Sequence, residues 1–242
     1  MLTSVRGLVA ASLLAGSALA ATPALAQEVG DLTISGNASL VTEYRFRGVG
    51  LSGGDMAIQG GIDVSHSSGF YVGTWGSNLD EDTTGYGSIE VDVYGGWSGD
   101  ISDGVSADVG VIYYTYPNFG PGDSDYIEFY GSLSYTLGPV DTTVGVAYAP
   151  DQDSLGSQDN FYVYGDASIG IPSTPVTLTG HIGYTDGVLT FTNDGKAFDW
   201  SVGGEFALTS NLSVGVSYIG VEGNSTKWVD DDAVVGSLSI SF

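Results

Sequence analysis

The chain has 242 residues, with five Lys or Arg against 29 Asp or Glu, two His, no Cys and a formal net charge of −24. This balance excludes a basic footprint for nucleic acid, and the lack of cysteine excludes disulfides and thiolate metal sites. The length suits one domain, and after the first 26 residues no segment is long and apolar enough for a transmembrane helix.

Residues 1–26 have the pattern of a secretory signal peptide. Arg6 precedes an apolar run through Leu13 and Leu14, and small residues follow that end in Ala24-Leu25-Ala26. An A-x-A ending of this kind predicts cleavage before Gln27. We therefore expect 1–26 to be a cleaved Sec-type signal and 27–242 to form the mature domain.

From residue 27 onward, apolar and polar residues alternate with a period of two in twelve segments, most of them about as long as a tilted membrane strand. The connections alternate between short turns and longer loops rich in Asp, Gly and Asn, and both termini fall on the short-turn side. This pattern predicts an all-β fold, a transmembrane antiparallel up-and-down β-barrel of about 12 strands. The predicted strands are 32–47, 57–65, 70–78, 87–98, 105–115, 126–137, 140–149, 160–169, 176–185, 197–208, 212–219 and 233–242.

The charges support a lipid-facing exterior. When the apolar phase of each strand, including Leu40 and Tyr44 on the first, is set outward, the strand acids, both strand arginines and His181 fall on the inner phase. A Lys or Arg on the lipid face near mid-membrane costs roughly 2–4 kcal/mol, so this separation is expected of a membrane barrel. Outward aromatics near strand ends predict interfacial girdles: Phe46, Phe70, Trp97, Tyr113, Tyr135, Tyr148, Phe161, Tyr184, Trp200 and Tyr218.

The last predicted strand runs to the final residue, Phe242. A free apolar edge is an aggregation hazard, and closure onto the first strand removes it. A terminal strand that ends in Phe resembles the assembly signal of bacterial outer-membrane barrels. It implies recognition by the barrel-assembly machinery and contact with outer-membrane lipid and lipopolysaccharide. A soluble β-sandwich would also alternate, but it would need neither the export signal nor the alternating loop lengths.

Four stretches in the order Thr42–Gly48, Ala57–Asp63, Gly69–Asn78 and Glu90–Gly96 carry a family resemblance. Their sequences are TEYRFRG, AIQGGID, GFYVGTWGSN and EVDVYGG. The series resembles the TorF-like porins, proteobacterial outer-membrane proteins. The resemblance covers residues 38–97 in its specific motifs and implies a barrel with a Gram-negative outer-membrane address. It implies no catalytic residues and no cofactor.

The inner phase predicts a charged constriction. Arg45 and Arg47 are placed near the outer end of the first strand, and closure is expected to bring 230–232 close to them. Arginines facing carboxylates across a lumen sort solutes by charge and size, whereas the structural alternative is an ion-pair network that keeps buried charges paired. The predicted constriction is Arg45, Arg47, Glu43, Asp63, Glu90 and Asp92.

Aromatic side chains share the inner phase on the third to eighth predicted strands. They form either a path for sugars or a space-filling layer whose hydroxyls bond to the inward acids. The band consists of Tyr71, Trp75, Tyr94, Tyr114, Tyr130, Tyr162 and Tyr164.

We therefore expect a porin-like channel for passive diffusion of small hydrophilic solutes, with a cation preference set by the excess of inner acids. A closed structural barrel without conductance is the first alternative. An outer-membrane lipid hydrolase is the second, but neither His66 nor His181 lies in a recognisable nucleophile motif, and no catalytic or metal-binding residue is predicted.

Overall fold

The computed structural model describes residues 27–119, 124–224 and 231–242. Its main element is an antiparallel sheet that closes into a barrel of twelve strands, as the sequence predicts. The predicted signal peptide, 1–26, lies outside the described residues and remains a prediction. The described residues contain no helix long and apolar enough to span a membrane.

Twelve strands form the barrel wall, and three short strands accompany them. The short strands are β1 (Gln27–Val29), β3 (Arg45–Phe46) and β4 (Val49–Gly50). The wall is β2 (Leu32–Val41), β5 (Ala57–His66), β6 (Phe70–Asn78), β7 (Ile89–Ser102), β8 (Val105–Thr115), β9 (Tyr126–Leu137), β10 (Val140–Gln152), β11 (Gln158–Gly170), β12 (Val176–Gly187), β13 (Lys196–Ala207), β14 (Leu212–Gly223) and β15 (Ala233–Ser241). A four-residue helix, α1 (Glu81–Thr84), and a 3₁₀ turn, Asp153–Leu155, lie in the longer connections.

Strand β2 closes the barrel because it pairs with β5 on one side and β15 on the other. Leu40 lies opposite Ile58 of β5 and Leu238 of β15. The backbone of Phe242 continues the seam, since its N–H donates to the carbonyl of Gly36 and its carbonyl accepts from the N–H of Gly36, at 2.9 and 2.7 Å. Each of the twelve wall strands is therefore paired on both sides, as the apolar last strand required.

The outer surface of the wall is apolar. Large side chains such as Ile58, Val144 and Val234 are more than 60% exposed. Most of the predicted girdle aromatics are exposed as well: Phe70, Tyr113, Tyr135, Tyr148, Phe161, Tyr184 and Tyr218. Such a surface suits a hydrocarbon solvent rather than water.

Glycines on the inner face make room for tyrosine rings of neighbouring strands. An added Cβ at Gly73 would lie 2.5 Å from Tyr94, which is its cross-strand partner. Gly145 is packed in the same way against Tyr164, and Gly110 against Tyr130. The abundant glycine of this chain therefore lets large rings lie flat within a narrow barrel.

The first strand departs from its prediction. It was expected to run to residue 47, but β2 ends at Val41, and residues 43–52 fold into the barrel as a hairpin. Tyr44 and Phe46, expected on the lipid face, are therefore inside: Tyr44 is 0% exposed, and the ring of Phe46 packs against Tyr114. A period of two reports alternating environments, and an inserted hairpin has the same period as a wall strand.

Candidate functional site

Residues 43–52, called the lumen hairpin below, occupy the end of the barrel where the longer connections lie. Arg45 pairs with Gly50 and Phe46 with Val49, so Arg47 and Gly48 are the two central turn residues. Both have positive φ, 48° and 80°, as a type I′ turn requires. A non-glycine residue in this region carries strain, so the position of Arg47 has to be held by its contacts.

Further hydrogen bonds fix the base of the lumen hairpin. The Tyr44 N–H donates to Ser52 Oγ, and the Leu51 N–H donates to the carbonyl of Tyr44, each at 2.8 Å. The carbonyl of Leu51 accepts from the N–H of Asp80, which begins the connection between β6 and β7. The lumen hairpin is therefore joined to the wall as well as to itself.

Arg45 ties the lumen hairpin to the barrel seam. Its guanidinium pairs with Glu43 at 3.0 Å and donates to the carbonyl of Gly48 at 2.8 Å. It also donates to the carbonyl of Asp231, just before β15, at 2.6 Å. The expected approach of the 230–232 segment is thus found for Arg45, through a backbone oxygen; residue 230 lies outside the described part of the chain.

Arg47 reaches a different wall strand. Its Nη2 donates to both carboxylate oxygens of Glu128 on β9, each at 2.7 Å, and its guanidinium lies 4.3 Å from the ring centroid of Tyr162 on β11. Burial opposes its charge, but the Glu128 carboxylate more than offsets this and holds the pKa of Arg47 above its ordinary value. This contact attaches the turn of the lumen hairpin to the opposite wall.

Glu90 and Asp92, on the inner face of β7, lack such partners. They are 2% and 0% exposed, and Glu90 Oε2 and both oxygens of Asp92 have no hydrogen-bond partner among the described residues. Burial, together with these nearby carboxylates, raises the pKa of the Tyr44 hydroxyl well above its ordinary value. The site therefore holds more carboxyl groups than its two arginines pair with.

His181 of β12 forms a second polar cluster in the lumen. Its Nδ1 lies 2.6 Å from Asp166, its Nε2 lies 2.9 Å from Asp199, and the Tyr162 hydroxyl is also 2.9 Å from Nε2. Both ring nitrogens are thus engaged by carboxylates. This is an ion-pair arrangement, and it gives no support to the hydrolase alternative, which needs a free imidazole nitrogen facing a nucleophile.

Towards the short-turn end, the acids are bonded to tyrosines. Tyr94 donates to Asp63 and Tyr71 donates to Asp108, both at 2.6 Å. Every member of the predicted aromatic band is buried or partly buried in the structure: Tyr71, Trp75, Tyr94, Tyr114, Tyr130, Tyr162 and Tyr164. Bonds from tyrosine hydroxyls to inward acids are what the space-filling alternative expects.

The structure divides the predicted constriction set. Glu43 and Arg45 pair with each other, whereas Arg47 pairs with Glu128, which was not in the set. Asp63 lies apart from them, bonded to Tyr94. Glu128 lies on the inner phase of β9, so the alternation of the sequence places it in the lumen. Its contact with Arg47 depends on the lumen hairpin, which that alternation does not reveal. No group of three or more His, Cys, Asp or Glu that suits a metal ion occurs in the described ranges.

The comparisons with known proteins agree with this architecture. Residues 25–239 match the model of a family described as "Bacterial protein of unknown function (Gcw_chp)". No curated protein matches the sequence significantly. The family match carries no TorF-like designation, so that finer assignment stays a prediction.

Solved porins share the fold at low sequence identity. A NanC porin structure has a TM-score of 0.55 at 11% identity, covering 86% of this chain and 97% of the other. A KdgM porin has a TM-score of 0.56 at 10% identity, covering 86% and 98%. A second KdgM structure, in complex with disordered oligogalacturonate, has a TM-score of 0.54 at 10% identity. The chain belongs to the Gcw_chp family of bacterial proteins of unknown function, and its twelve-stranded barrel has the fold of porins.

Proposed function

We propose that this protein is an outer-membrane channel for passive diffusion of small hydrophilic solutes, narrowed by the lumen hairpin. The observation that carries the proposal is the attachment of the lumen hairpin inside the barrel through Arg45 and Arg47. Two arginines that face carboxylates in a narrow lumen are a charge and size filter. The resemblance to TorF-like porins and the porin fold support the same reading.

The inner charge favours cations. Lumen acids such as Glu90 and Asp92 have no cationic partner among the described residues, while Arg45 and Arg47 are already paired. A lumen with this excess attracts cations and repels anions by field focusing. Oligogalacturonate, bound in one structure with the same fold, is a chain of carboxylates. An acidic lumen disfavours such a solute.

An outer-membrane location agrees with the apolar wall and the predicted signal peptide. The exposed loops would then contact lipopolysaccharide, and the barrel-assembly machinery would bind β15 with its terminal Phe242. Phe242 is 48% exposed, and its backbone is already paired with Gly36, so the ring is available on the outer surface near the rim. The proposed activity is transport without catalysis.

A closed barrel is the second candidate, and one observation favours it. The lumen hairpin packs into a core of inward side chains at the long-loop end, where Tyr44, Val49 and Tyr114 are at most 2% exposed. Small barrels are commonly filled by side chains in this way. In that case Arg45 and Arg47 stabilise the fold and carry no solute.

Reversal potentials separate these proposals. Refolded protein in a planar bilayer under a potassium chloride gradient should show discrete conductance steps with a reversal potential of the cation-selective sign. Arg45→Ala and Arg47→Ala should change conductance and ion preference, whereas Lys196→Ala, which alters an exposed cation at the start of β13, should change neither. Anion preference, or unchanged conductance in both folded arginine variants, would contradict the proposed filter.

A further inference from the structure

A small cavity lies between the lumen hairpin and the longer connections. Its volume is about 20 Å³, which is enough for one group the size of a water molecule. The lumen hairpin contributes Phe46 to its lining, and the connections contribute Tyr86 and Tyr116. The wall contributes Tyr126 and one carboxylate, Glu90. The cavity therefore combines aromatic walls with a single acidic group.

Glu90 is the feature that points to a ligand. The residue is 2% exposed, and its Oε2 has no hydrogen-bond partner among the described residues. Asp92 follows on the same face of β7, 0% exposed and with both oxygens unpartnered. A buried carboxylate oxygen without a donor is costly, and a positively charged ligand would remove that cost.

The walls indicate what kind of cation fits. Tyr86, Tyr116 and Tyr126 all line the cavity, and the rings of Tyr86 and Tyr116 pack side by side, 5.0 Å apart, as one aromatic wall. Aromatic faces attract ammonium groups through the ring quadrupole. A divalent metal ion needs six or more oxygen ligands or a set of His and carboxylate groups, and the described residues supply no such set here. A space of this size suits a single ammonium headgroup better than a quaternary ammonium with four alkyl groups.

We propose that this cavity binds the ammonium group of a small primary amine, with Glu90 as its counter-ion and the tyrosine rings as its walls. Asp92 adds negative potential from the same strand face. For transport, the amine site rests on the channel function proposed above. It extends that function by naming primary amines as the solutes that the channel favours. Binding itself requires only the folded barrel.

The location gives the site a role in selection. Phe46 and Leu51 of the lumen hairpin form one side of the cavity, and Arg47, next to Phe46, holds the hairpin to Glu128. An ammonium group bound at Glu90 therefore contacts the element that narrows the lumen. The acidic surface, with a formal charge of −24, raises the local concentration of cations at this end.

Methylammonium titration of refolded protein in detergent tests the proposal. Isothermal calorimetry is carried out at constant ionic strength, with sodium chloride and tetramethylammonium chloride as comparison titrants. Methylammonium should bind saturably, and neither comparison titrant should give a saturable signal. Glu90→Gln should weaken methylammonium binding at least about tenfold, since a charge-assisted hydrogen bond is lost. Glu205→Gln, a lumen acid bonded to Ser213, should change affinity less than twofold.

A second variant keeps the test decisive if Glu90→Gln does not fold. Tyr116→Leu removes one aromatic wall and should weaken binding about threefold to tenfold, the range expected for one cation–π contact. Equal binding of sodium and methylammonium, unchanged affinity in the folded variant, or no saturable methylammonium signal would each overturn the proposal. Binding without conductance would leave the amine site standing and refute the channel, whereas conductance without binding would do the reverse.

Discussion

Replacing Arg47 by Met should release the lumen hairpin from the wall. The arginine is paired with Glu128 through two hydrogen bonds of 2.7 Å, and the two side chains are 7% and 3% exposed. Removal of one partner leaves a buried carboxylate and costs about 3–5 kcal/mol. When the hairpin is displaced, water reaches the Glu128 carboxylate and removes this cost. The substitution therefore destabilises only the state in which the hairpin is inserted. The ratio of displaced to inserted hairpin should therefore rise roughly 100- to 4,000-fold.

The absence of cysteine from the chain provides the assay. Val49→Cys places a thiol on the lumen hairpin at a position that is 2% exposed, where a charged thiol reagent reacts only after the hairpin moves. Its modification rate should increase by that factor when Arg47→Met is added. Ser210→Cys, in an exposed turn at the other end, should react at the same rate in both backgrounds.

A double variant separates the ion pair from a general loss of packing. Arg47→Met combined with Glu128→Leu removes both charges and leaves an apolar contact, so the rate at Val49→Cys should return towards that of the original chain. An Arg47→Met rate within twofold of the original, in protein that still migrates as a folded barrel, would refute the assigned role of this pair.

Three further changes test the packing of the wall. Gly73→Ala should lower the thermal unfolding temperature because its Cβ displaces Tyr94, whereas Gly170→Ala, with open space around it, should leave it unchanged. His181→Asn should also lower the unfolding temperature, since Asp199, 2% exposed, loses its cationic partner; an unchanged temperature would show that the cluster is not an ion pair. Phe242→Ala should slow barrel assembly, which heat-modifiable gel migration measures. An equally large slowing in Phe206→Ala, a similarly exposed aromatic, would contradict a special role for the terminal ring.

The wall was predictable from the sequence because each strand repeats one physical condition. Lipid on one side and a packed polar lumen on the other impose a period of two, and Gly and Asp mark the connections. Eleven of the twelve predicted strands match the observed ones within a few residues, and closure through the terminal strand is confirmed. The inner position of acids such as Asp108 and Glu128 follows from the same period.

The lumen hairpin could not be predicted in this way. Residues 43–47 alternate as a wall strand does, and the difference lies in what surrounds them: Tyr44 packs edge-on against Trp75, and Arg47 bonds to Glu128, 81 residues later in the sequence. Periodicity reports the local environment and carries no information on such contacts. The lumen hairpin divides the predicted constriction set and forms one side of the aromatic cavity beside Glu90. Neither feature can therefore be predicted from the sequence pattern alone.

In the proposed channel, the lumen hairpin narrows a conducting barrel. Single-channel conductance of the refolded protein, measured beside a variant in which residues 43–54 are replaced by a short Gly-Ser linker, tests this most directly. The original chain should give small cation-selective steps and the shortened variant clearly larger ones, with cation preference retained because the wall acids remain. Equal conductance in the two proteins, or no conductance in either, would contradict it.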